Sequence, residues 1–269
     1  MDAALPTAGY DPGFLAHAVP LPASTTPVRE LTYPRFTVLL DVERRLARVT
    51  GVNIDGARLR DPARTGDWRL DPRVPAPEQT GADVYARNDL DRGHLVRRRD
   101  PGWGSEAEAK AATEATFFYP NAAPQAAGFN QSKELWLGLE DHVLAYAEAE
   151  DVRVSVFTAP VLDADDPPYR GIRVPLRFWK IAAWSSGGDS PRLAAAGFVL
   201  DQSELVDTRE GVLAVAALGA FRTFQVPIGE IAALAGVDLE VLVAADVFAR
   251  PGARTTPWRP LRTATDVLL

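Results

Sequence analysis

Cysteine is absent from this chain of 269 residues, and histidine occurs only three times, at His17, His94 and His142. The lack of cysteine excludes disulfide bonds, thiolate zinc sites and cysteine nucleophiles. So few histidines also argue against a zinc site built from several imidazoles. The overall composition, with 46% hydrophobic and 24% charged residues, is that of an ordinary soluble globular protein.

Long apolar runs are absent as well, since none approaches the roughly 20 residues that span a bilayer. Residues 1–6 also lack a basic segment followed by a continuous apolar one, so we expect no classical signal peptide. We therefore expect a cytoplasmic protein with no membrane partner, unless another route exports it.

The net charge of −7 argues against a protein that coats nucleic acids over its whole surface. Two segments nevertheless have a local excess of arginine. The window 87–99 holds five arginines against two aspartates, and the window 58–73 holds five against three, with no lysine in either. Arginine binds phosphate in a bidentate manner, so an acidic body with a basic cleft would attract a polyanion. The alternative is a solvated, salt-bridged surface.

The hydrophobic pattern predicts an α+β domain with a sheet that runs through most of the chain. Residues 1–32 are rich in proline and alanine, and we expect an extended arm there, followed by a single domain at 33–269. We expect a long polar loop at 56–82 and irregular structure at the end of the chain. Strands are predicted at 36–40, 46–54, 116–119, 152–157, 174–184, 193–200 and 224–227, and helices at 107–115, 132–149 and 228–235.

An ordered series of short motifs carries the chemistry. Asp91-Arg92-Gly93-His94 comes first, and it is followed by Asn121-Ala-Ala-Pro-Gln125, Asn130-Gln131 and Trp136-Leu-Gly-Leu-Glu140. His94 is the candidate general base, because an imidazole pKa near 6.5 suits proton transfer at neutral pH. Taken alone, a single histidine is more often structural. The ordered clusters favour a catalytic role here.

The second half of the series contains ligands for one hard metal ion. Asn130 offers a neutral carbonyl oxygen of the kind that Mg²⁺ accepts, and Glu140 could hold one of the waters of the metal. Asn130 could also cap a helix near Ser132. Two sets of residues would support the site or contact substrate phosphate: Asn121 and Gln125, and Asp91, Arg92 and Arg87.

On these motifs, the chain resembles the DNA/RNA non-specific endonucleases, the family that includes the Serratia nuclease and endonuclease G. The similarity extends over about residues 33–240 and includes Val174-Pro175, Phe178-Trp-Lys180 and Val226-Pro-Ile-Gly-Glu-Ile231. The resemblance implies a ββα-metal fold with a central antiparallel sheet flanked by helices. It also implies Mg²⁺-dependent hydrolysis of phosphodiester bonds in DNA and RNA, with Mn²⁺ as an expected substitute.

The resemblance implies site roles for individual residues. His94 would be the general base, Asn130 the direct metal ligand and Glu140 a metal partner through water. An upstream arginine would contact the scissile phosphate, with Arg64 as first candidate and Arg69 and Arg87 as alternatives.

One feature departs from the family pattern, because Glu140 follows Asn130 by ten residues where eight is usual. Ten helical residues span about 15 Å, so Asn130 must lie in the loop before the helix. Glu134 is the alternative acid.

Two other functions remain as alternatives. One is a catalytically inactive nucleic-acid-binding module of the same fold, and the other is a phosphodiesterase for a small or lipid phosphate. Metal-dependent cleavage that His94→Ala abolishes would separate the first from an enzyme. We expect DNA and RNA as partners, and the resemblance adds a homodimer. An inhibitor or activator protein is also expected, because an uncontrolled nuclease would endanger its own cell.

Overall fold

The computed structural model describes residues 9–126, 145, 147–148, 151–186, 190–207, 214–215, 222–249, 257–261 and 266–267. An eight-stranded sheet dominates it, in the order β16-β14-β11-β10-β7-β4-β3-β2 with every neighbouring pair antiparallel. These strands are β2 (Arg29–Tyr33), β3 (Phe36–Asp41), β4 (Leu46–Asp55), β7 (Arg153–Val161), β10 (Arg177–Ser186), β11 (Arg192–Asp201), β14 (Arg222–Val226) and β16 (Arg259–Leu261). The prediction of an α+β domain with a central antiparallel sheet is confirmed.

Both faces of this sheet are covered, because alternate side chains of each strand point to opposite sides. Phe178 and Ala182 of β10 belong to one apolar core, and Trp179 and Ile181 belong to the other. The first core includes Leu95 and other residues next to the motif strand. The sheet therefore provides a rigid, two-sided base for the candidate site.

Within the described ranges, four short two-stranded pairs accompany the main sheet. They join β1 (Ala23–Ser24) to β15 (Val237–Asp238), β5 (Leu90–His94) to β6 (Ala122–Ala126), β8 (Pro168–Tyr169) to β9 (Ile172–Arg173), and β12 (Val206–Asp207) to β13 (Ala214–Val215). The β5–β6 pair contains the Asp-Arg-Gly-His motif. The β8–β9 pair is a hairpin with a two-residue turn.

The helices in the described ranges are short, and none is both long and apolar enough to cross a membrane. They are α1 (Ala82–Tyr85), α2 (Glu106–Ala115), α3 (Ile228–Ala235) and α4 (Glu240–Ala244), with 3₁₀ turns at Gly56–Arg58, Ala76–Glu78 and Tyr119–Asn121. Helix α2 starts with a capping box between Ser105 and Glu108, and α3 ends at Gly236. Both were predicted from the sequence to within one residue.

Two secondary-structure predictions are wrong. The strand predicted at 116–119 does not form, because Thr116 ends α2 and the chain enters the 3₁₀ turn at Tyr119, whose first turn accommodates Pro120. The end of the chain is not wholly irregular, because it contains α4 and β16. The helix predicted at 132–149 lies almost entirely outside the described residues.

Residues 9–33 pack against the domain. Tyr10, Phe14 and Val19 are buried in the second core, and the backbone N–H of Tyr10 donates to Thr37 Oγ1 at 2.9 Å. Strand β2 runs across the boundary at residue 32 that we predicted between arm and domain. The division of the chain at that point remains a prediction.

Candidate active site

The motif strand β5 pairs with β6 in an antiparallel register that places Asp91 opposite Gln125 and Gly93 opposite Ala123. The Gln125 side chain crosses over Gly93: a Cβ atom at residue 93 would lie 2.1 Å from Gln125 Cδ and Oε1. Only glycine leaves room for this close approach. The motif glycine therefore allows the two clusters of the sequence to pack directly against each other.

His94 ends β5 in an aromatic pocket. Its ring lies 4.5 Å from that of Trp68 and 5.0 Å from that of Phe117, which it meets edge-on. The residue is half-buried, but its Nε2 atom is shielded from solvent and has no hydrogen-bond partner in the described part of the chain. This nitrogen is therefore not occupied by a protein donor or acceptor among the described residues.

Burial lowers the pKa of His94 from 6.5 to about 3, and the charges of Arg64, Arg98 and Arg97 act in the same direction. The imidazole is therefore neutral at physiological pH in this structure. A neutral ring has a lone pair that can accept a proton. The same arginines would be neutralised by a bound phosphate, so substrate binding would raise the pKa of His94 again.

The polar loop at 56–82 approaches His94 through Phe117. Gly66 packs so closely on Phe117 that a Cβ atom there would lie 2.4 Å from the ring, and the Arg64 guanidinium carbon lies 5.3 Å from the ring centre. Arg98 fixes the loop by ion pairing with Asp61 at 2.7 Å and donating to the Pro62 carbonyl at 2.8 Å. This arrangement brings Arg64 and Trp68 to the histidine.

Asn121 holds the chain that follows His94. Its side-chain oxygen accepts from the Val96 N–H at 2.8 Å, and its amide donates to the carbonyls of Val96 at 2.8 Å and Thr116 at 3.0 Å. The Leu95 N–H donates to the Asn121 carbonyl at 3.0 Å. The amide group and the oxygen of this buried side chain therefore fix Val96, just after the motif, and tie it to Thr116 at the end of α2.

Gln125 differs from Asn121, because both of its amide atoms are buried and have no hydrogen-bond partner within the described residues. A buried, unpaired amide is costly, and the Gln125 amide keeps hydrogen-bonding capacity that the described residues do not use. Arg92 lies beside it on β5, donates to the Tyr119 hydroxyl at 3.3 Å and stands 5.4 Å from the Tyr85 ring. Asp91 is half-buried on the same strand.

The two alternative arginines occupy different places. Arg69 lies 4.1 Å over the Phe118 ring and donates to the Glu114 carbonyl at 3.2 Å, whereas Arg64 lies over Phe117. Arg87 is exposed in the loop between α1 and β5, with a left-handed backbone. Among the three upstream candidates, Arg64 is the one whose charge acts on His94.

The metal-site predictions lie outside the described residues. This applies to Asn130, Gln131, Glu134, Trp136 and Glu140. Among the described residues, no group of three or more histidine, aspartate or glutamate side chains could hold a metal ion. The predicted ligand set contains one carboxamide and one acid, so such a group is not needed.

Sequence reasoning missed the aromatic walls of the site. Trp68 and Phe117 contact His94 from segments 26 residues before it and 23 residues after it. No periodic pattern connects these positions to the motif. The position of Trp68 in the arginine-rich window 58–73 was the available signal. Arg97 and Arg98 belong to the other window, 87–99, where the sequence indicated only a basic stretch.

Comparisons with known proteins agree with this arrangement. The family model described as DNA/RNA non-specific endonuclease matches residues 16–246. An uncharacterized protein of Sinorhizobium fredii, y4fB, is 37% identical over 276 aligned positions, which cover 98% of this chain and 40% of the relative. The chain thus spans about two fifths of the length of that curated relative.

A solved structure also shares the fold. A crystal structure of the EndoG/EndoGI complex, which concerns the mechanism of EndoG inhibition, matches with a TM-score of 0.60 at 18% identity. The match covers 80% of this chain and 86% of the other chain. The large antiparallel sheet with few helices is accordingly a ββα-metal fold.

Proposed function

Because the chain belongs to the DNA/RNA non-specific endonuclease family, we propose that it is a metal-dependent endonuclease that hydrolyses phosphodiester bonds in both DNA and RNA. The observation that carries this proposal is the shielded, unpartnered Nε2 atom of His94 among three arginines. Such a group combines a proton acceptor with positive charge for a phosphate. Phosphodiester hydrolysis requires both, since the anionic substrate repels an attacking hydroxide.

His94 acts as the general base in this proposal. Its depressed pKa keeps the ring neutral before substrate binds. The substrate phosphate then offsets the charges of Arg64, Arg97 and Arg98, so the proton affinity of Nε2 rises at the moment when it must take a proton from water. Trp68 and Phe117 limit the movement of the ring and exclude bulk water from it.

Arg64 is the proposed contact to the scissile phosphate. It is exposed, so its guanidinium is free to bind an incoming anion, and its position beside Phe117 puts it next to His94. Arg92 and Arg87 are assigned to neighbouring phosphates. Asp91, Asn121 and Gln125 are assigned to support of the site, with Asn121 fixing the chain after His94.

A single Mg²⁺ ion, which Mn²⁺ could replace, is the proposed cofactor. We assign Asn130 as its direct ligand and Glu140 as its partner through water, with Glu134 as the alternative acid. When bound, such an ion neutralises charge on the phosphoryl oxygens and the leaving oxygen. Gln125 precedes Asn130 by five residues in the sequence, and its buried amide has no partner among the described residues, so it could hydrogen-bond a water of the ion. The donor set is carboxamide and carboxylate oxygen, which suits a hard cation.

The test is digestion of supercoiled plasmid and of purified RNA by the wild-type protein, with Mg²⁺, with Mn²⁺ and with EDTA. We expect both polymers to be cut with either metal and neither to be cut with EDTA. DNA binding without cleavage in either metal would favour an inactive nucleic-acid-binding module. Cleavage of a model phosphodiester that DNA does not inhibit would favour a phosphodiesterase for other substrates.

The proposal extends to partners and location. We propose a homodimer, control by an inhibitor or activator protein and a cytoplasmic location for the active chain. Light scattering during size-exclusion chromatography tests the first point. A mass near that of one chain, 29.1 kDa, at micromolar concentration would contradict it.

A further inference from the structure

A second basic cleft lies beside the β8–β9 hairpin. It encloses about 580 Å³ and is lined by the hairpin residues Pro168–Arg173 together with Glu43 and Arg44. Arg45 reaches its edge, because its Nη1 atom is the nearest atom to a Cβ built on Gly171, at 3.4 Å. We call this region the hairpin cleft. None of its residues belongs to the motifs that define the candidate active site.

The hairpin cleft has more arginine charge than carboxylate charge. Arg44 pairs with Asp166 at 2.6 Å. By contrast, the contacts that the structure gives three other arginines are to backbone carbonyls. Arg45 donates to Gln79, Arg170 donates to Asp83 and Ala86, and Arg173 donates to Asp166, at distances of 2.6–3.0 Å.

A carbonyl dipole orients a guanidinium without neutralising its charge. Glu43 lines the cleft, and the exposed Asp83, whose backbone carbonyl accepts from Arg170, stands near its edge. Three arginines held in this way outweigh both acids. The cleft therefore presents oriented guanidinium groups with spare N–H donors, which suits a bidentate acceptor such as phosphate.

The backbone gives an independent indication. Two arginines of the cleft, Arg45 and Arg170, have φ values of 61° and 45°; the other non-glycine residues with positive φ in the described part of the chain are Arg35, Arg87 and Asp151. Arg170 and Gly171 form the turn of the hairpin, where both central residues need positive φ and glycine, asparagine or aspartate is preferred. Arginine at such positions is poorly explained by conformation and better explained by a need for its side chain.

The hairpin cleft is connected to the candidate active site. Asn88 donates from Nδ2 to the Tyr169 hydroxyl at 3.0 Å, and its Oδ1 atom accepts from the Leu90 N–H at 3.1 Å, at the start of the motif strand. Arg170 contacts helix α1 at its backbone carbonyls, while Arg92 contacts the same helix at Tyr85.

We propose that the hairpin cleft is a second phosphate-binding site that holds the sugar–phosphate backbone of the polynucleotide being cut. This proposal rests on the proposed nuclease function. A duplex carries one phosphate per about 3.4 Å along each strand, so a bound polymer offers further phosphates to a basic site beside the active site. The cleft then strengthens binding of polymers over short oligonucleotides, and it does so without reading sequence.

The test combines binding and cleavage with two substrates, a 30-base-pair duplex and a tetranucleotide. The variants are Arg173→Gln alone and Arg170→Asn with Arg173→Gln, because asparagine tolerates the left-handed conformation at residue 170. The matched control is Arg153→Gln. Arg153 is exposed and begins β7, whereas the hairpin follows the other end of that strand. Thermal unfolding verifies that each variant is folded.

We expect the double variant to raise the KM for the duplex about tenfold at low salt and to leave the tetranucleotide KM within twofold. Each lost phosphate contact should also reduce the slope of log affinity against log salt by about 0.9. The variant Arg170→Lys with Arg173→Lys keeps both positive charges, so its salt slope should lie between those of the wild type and the double variant. If the two arginines had only a structural role, the retained charge would not change the slope. If the double variant does not fold, Arg173→Gln alone must still change the slope by about 0.9.

Two results would overturn the proposal: an unchanged salt slope, or an equal effect on both substrates and in Arg153→Gln. Failure of the nuclease function looks different. In that case the wild type cleaves neither substrate, while anisotropy of a labelled duplex still measures whether the two arginines contribute to binding.

Discussion

The contact between Gly93 and Gln125 leads to a quantitative prediction for Gly93→Ala. The new Cβ atom would lie 2.1 Å from Gln125 Cδ and Oε1 and 2.7 Å from Cγ. Ordinary carbon–carbon contact occurs at about 3.5–4.0 Å, so the amide must move by more than about 1 Å. Gln125 is fully buried, so this movement must also displace β5 or β6.

Overpacking of this kind costs about 1–3 kcal/mol of unfolding free energy. For a domain of this size we expect a fall in Tm of roughly 2–12 °C. The activity should suffer more than the stability. His94 is the next residue on the strand, and a displacement of about 1 Å at a catalytic group can reduce turnover by about 10²-fold.

A double-mutant cycle with Gln125→Ala tests the cause, because that change removes all three atoms that the new Cβ would meet. Unfolding in urea would be measured for the wild type, both single variants and the double variant. We expect Gly93→Ala to cost less than about 0.5 kcal/mol in the Gln125→Ala background. An equal cost in both backgrounds would refute the reasoning.

Three further predictions concern His94, Asn121 and Ser105. First, because the pKa of His94 falls from 6.5 to about 3 on folding, the unfolded state takes up a proton that the folded state does not as the pH drops below 6.5. The wild type should therefore lose about 2–3 kcal/mol more unfolding free energy than His94→Gln between pH 7 and pH 4.5, and parallel pH curves would contradict this. Second, Asn121→Ala leaves buried groups of Val96 and Thr116 unpaired, which should cost about 3 kcal/mol in urea unfolding and reduce cleavage; a cost below 1 kcal/mol would show that the clamp is unimportant. Third, Ser105→Ala removes the cap of α2 and should cost about 1 kcal/mol by the same assay without changing cleavage per folded molecule, whereas Ser105→Asp should keep most of the stability.

The sequence predicted those elements whose local pattern agrees with their final environment. Helix α3 is an example, because its apolar residues recur at helical spacing and Gly236 ends it in a left-handed conformation. Strand β6 was not predicted, since Ala122–Ala126 contains proline and no β-branched residue. It forms because β5 supplies its partner, which is a tertiary interaction that local propensity does not record.

The ends of the sheet and the walls of the site were missed for related reasons. β16 is only three residues long and contains Pro260, which an edge strand tolerates but which argues against a strand in sequence. Phe117 and Phe118 indicated a strand through their aromatic character. Phe117 instead packs on His94 and Phe118 on Tyr33, in the segment just before a 3₁₀ turn.

The part of the candidate site that is built from the motif residues was predictable from the sequence. His94 lies on β5, Gln125 on β6 and Asn121 in the turn just before β6, so the two strands bring the three residues together, as the order of the motifs suggested. The aromatic pocket was not predictable, because Trp68 reaches His94 only through the packing of a long loop on Phe117. The roles of Asn130 and Glu140 in metal binding remain predictions.

The most direct test of the central claim is a comparison of wild type, His94→Ala and His17→Ala in the digestion of plasmid DNA and RNA with Mg²⁺. His17 lies in the N-terminal segment and serves as the matched histidine control. Binding of a labelled duplex and thermal unfolding would be measured in parallel. The account predicts cleavage by the wild type and His17→Ala, and a loss of at least about 10²-fold in His94→Ala with duplex binding retained. Cleavage by His94→Ala at the wild-type rate would contradict it.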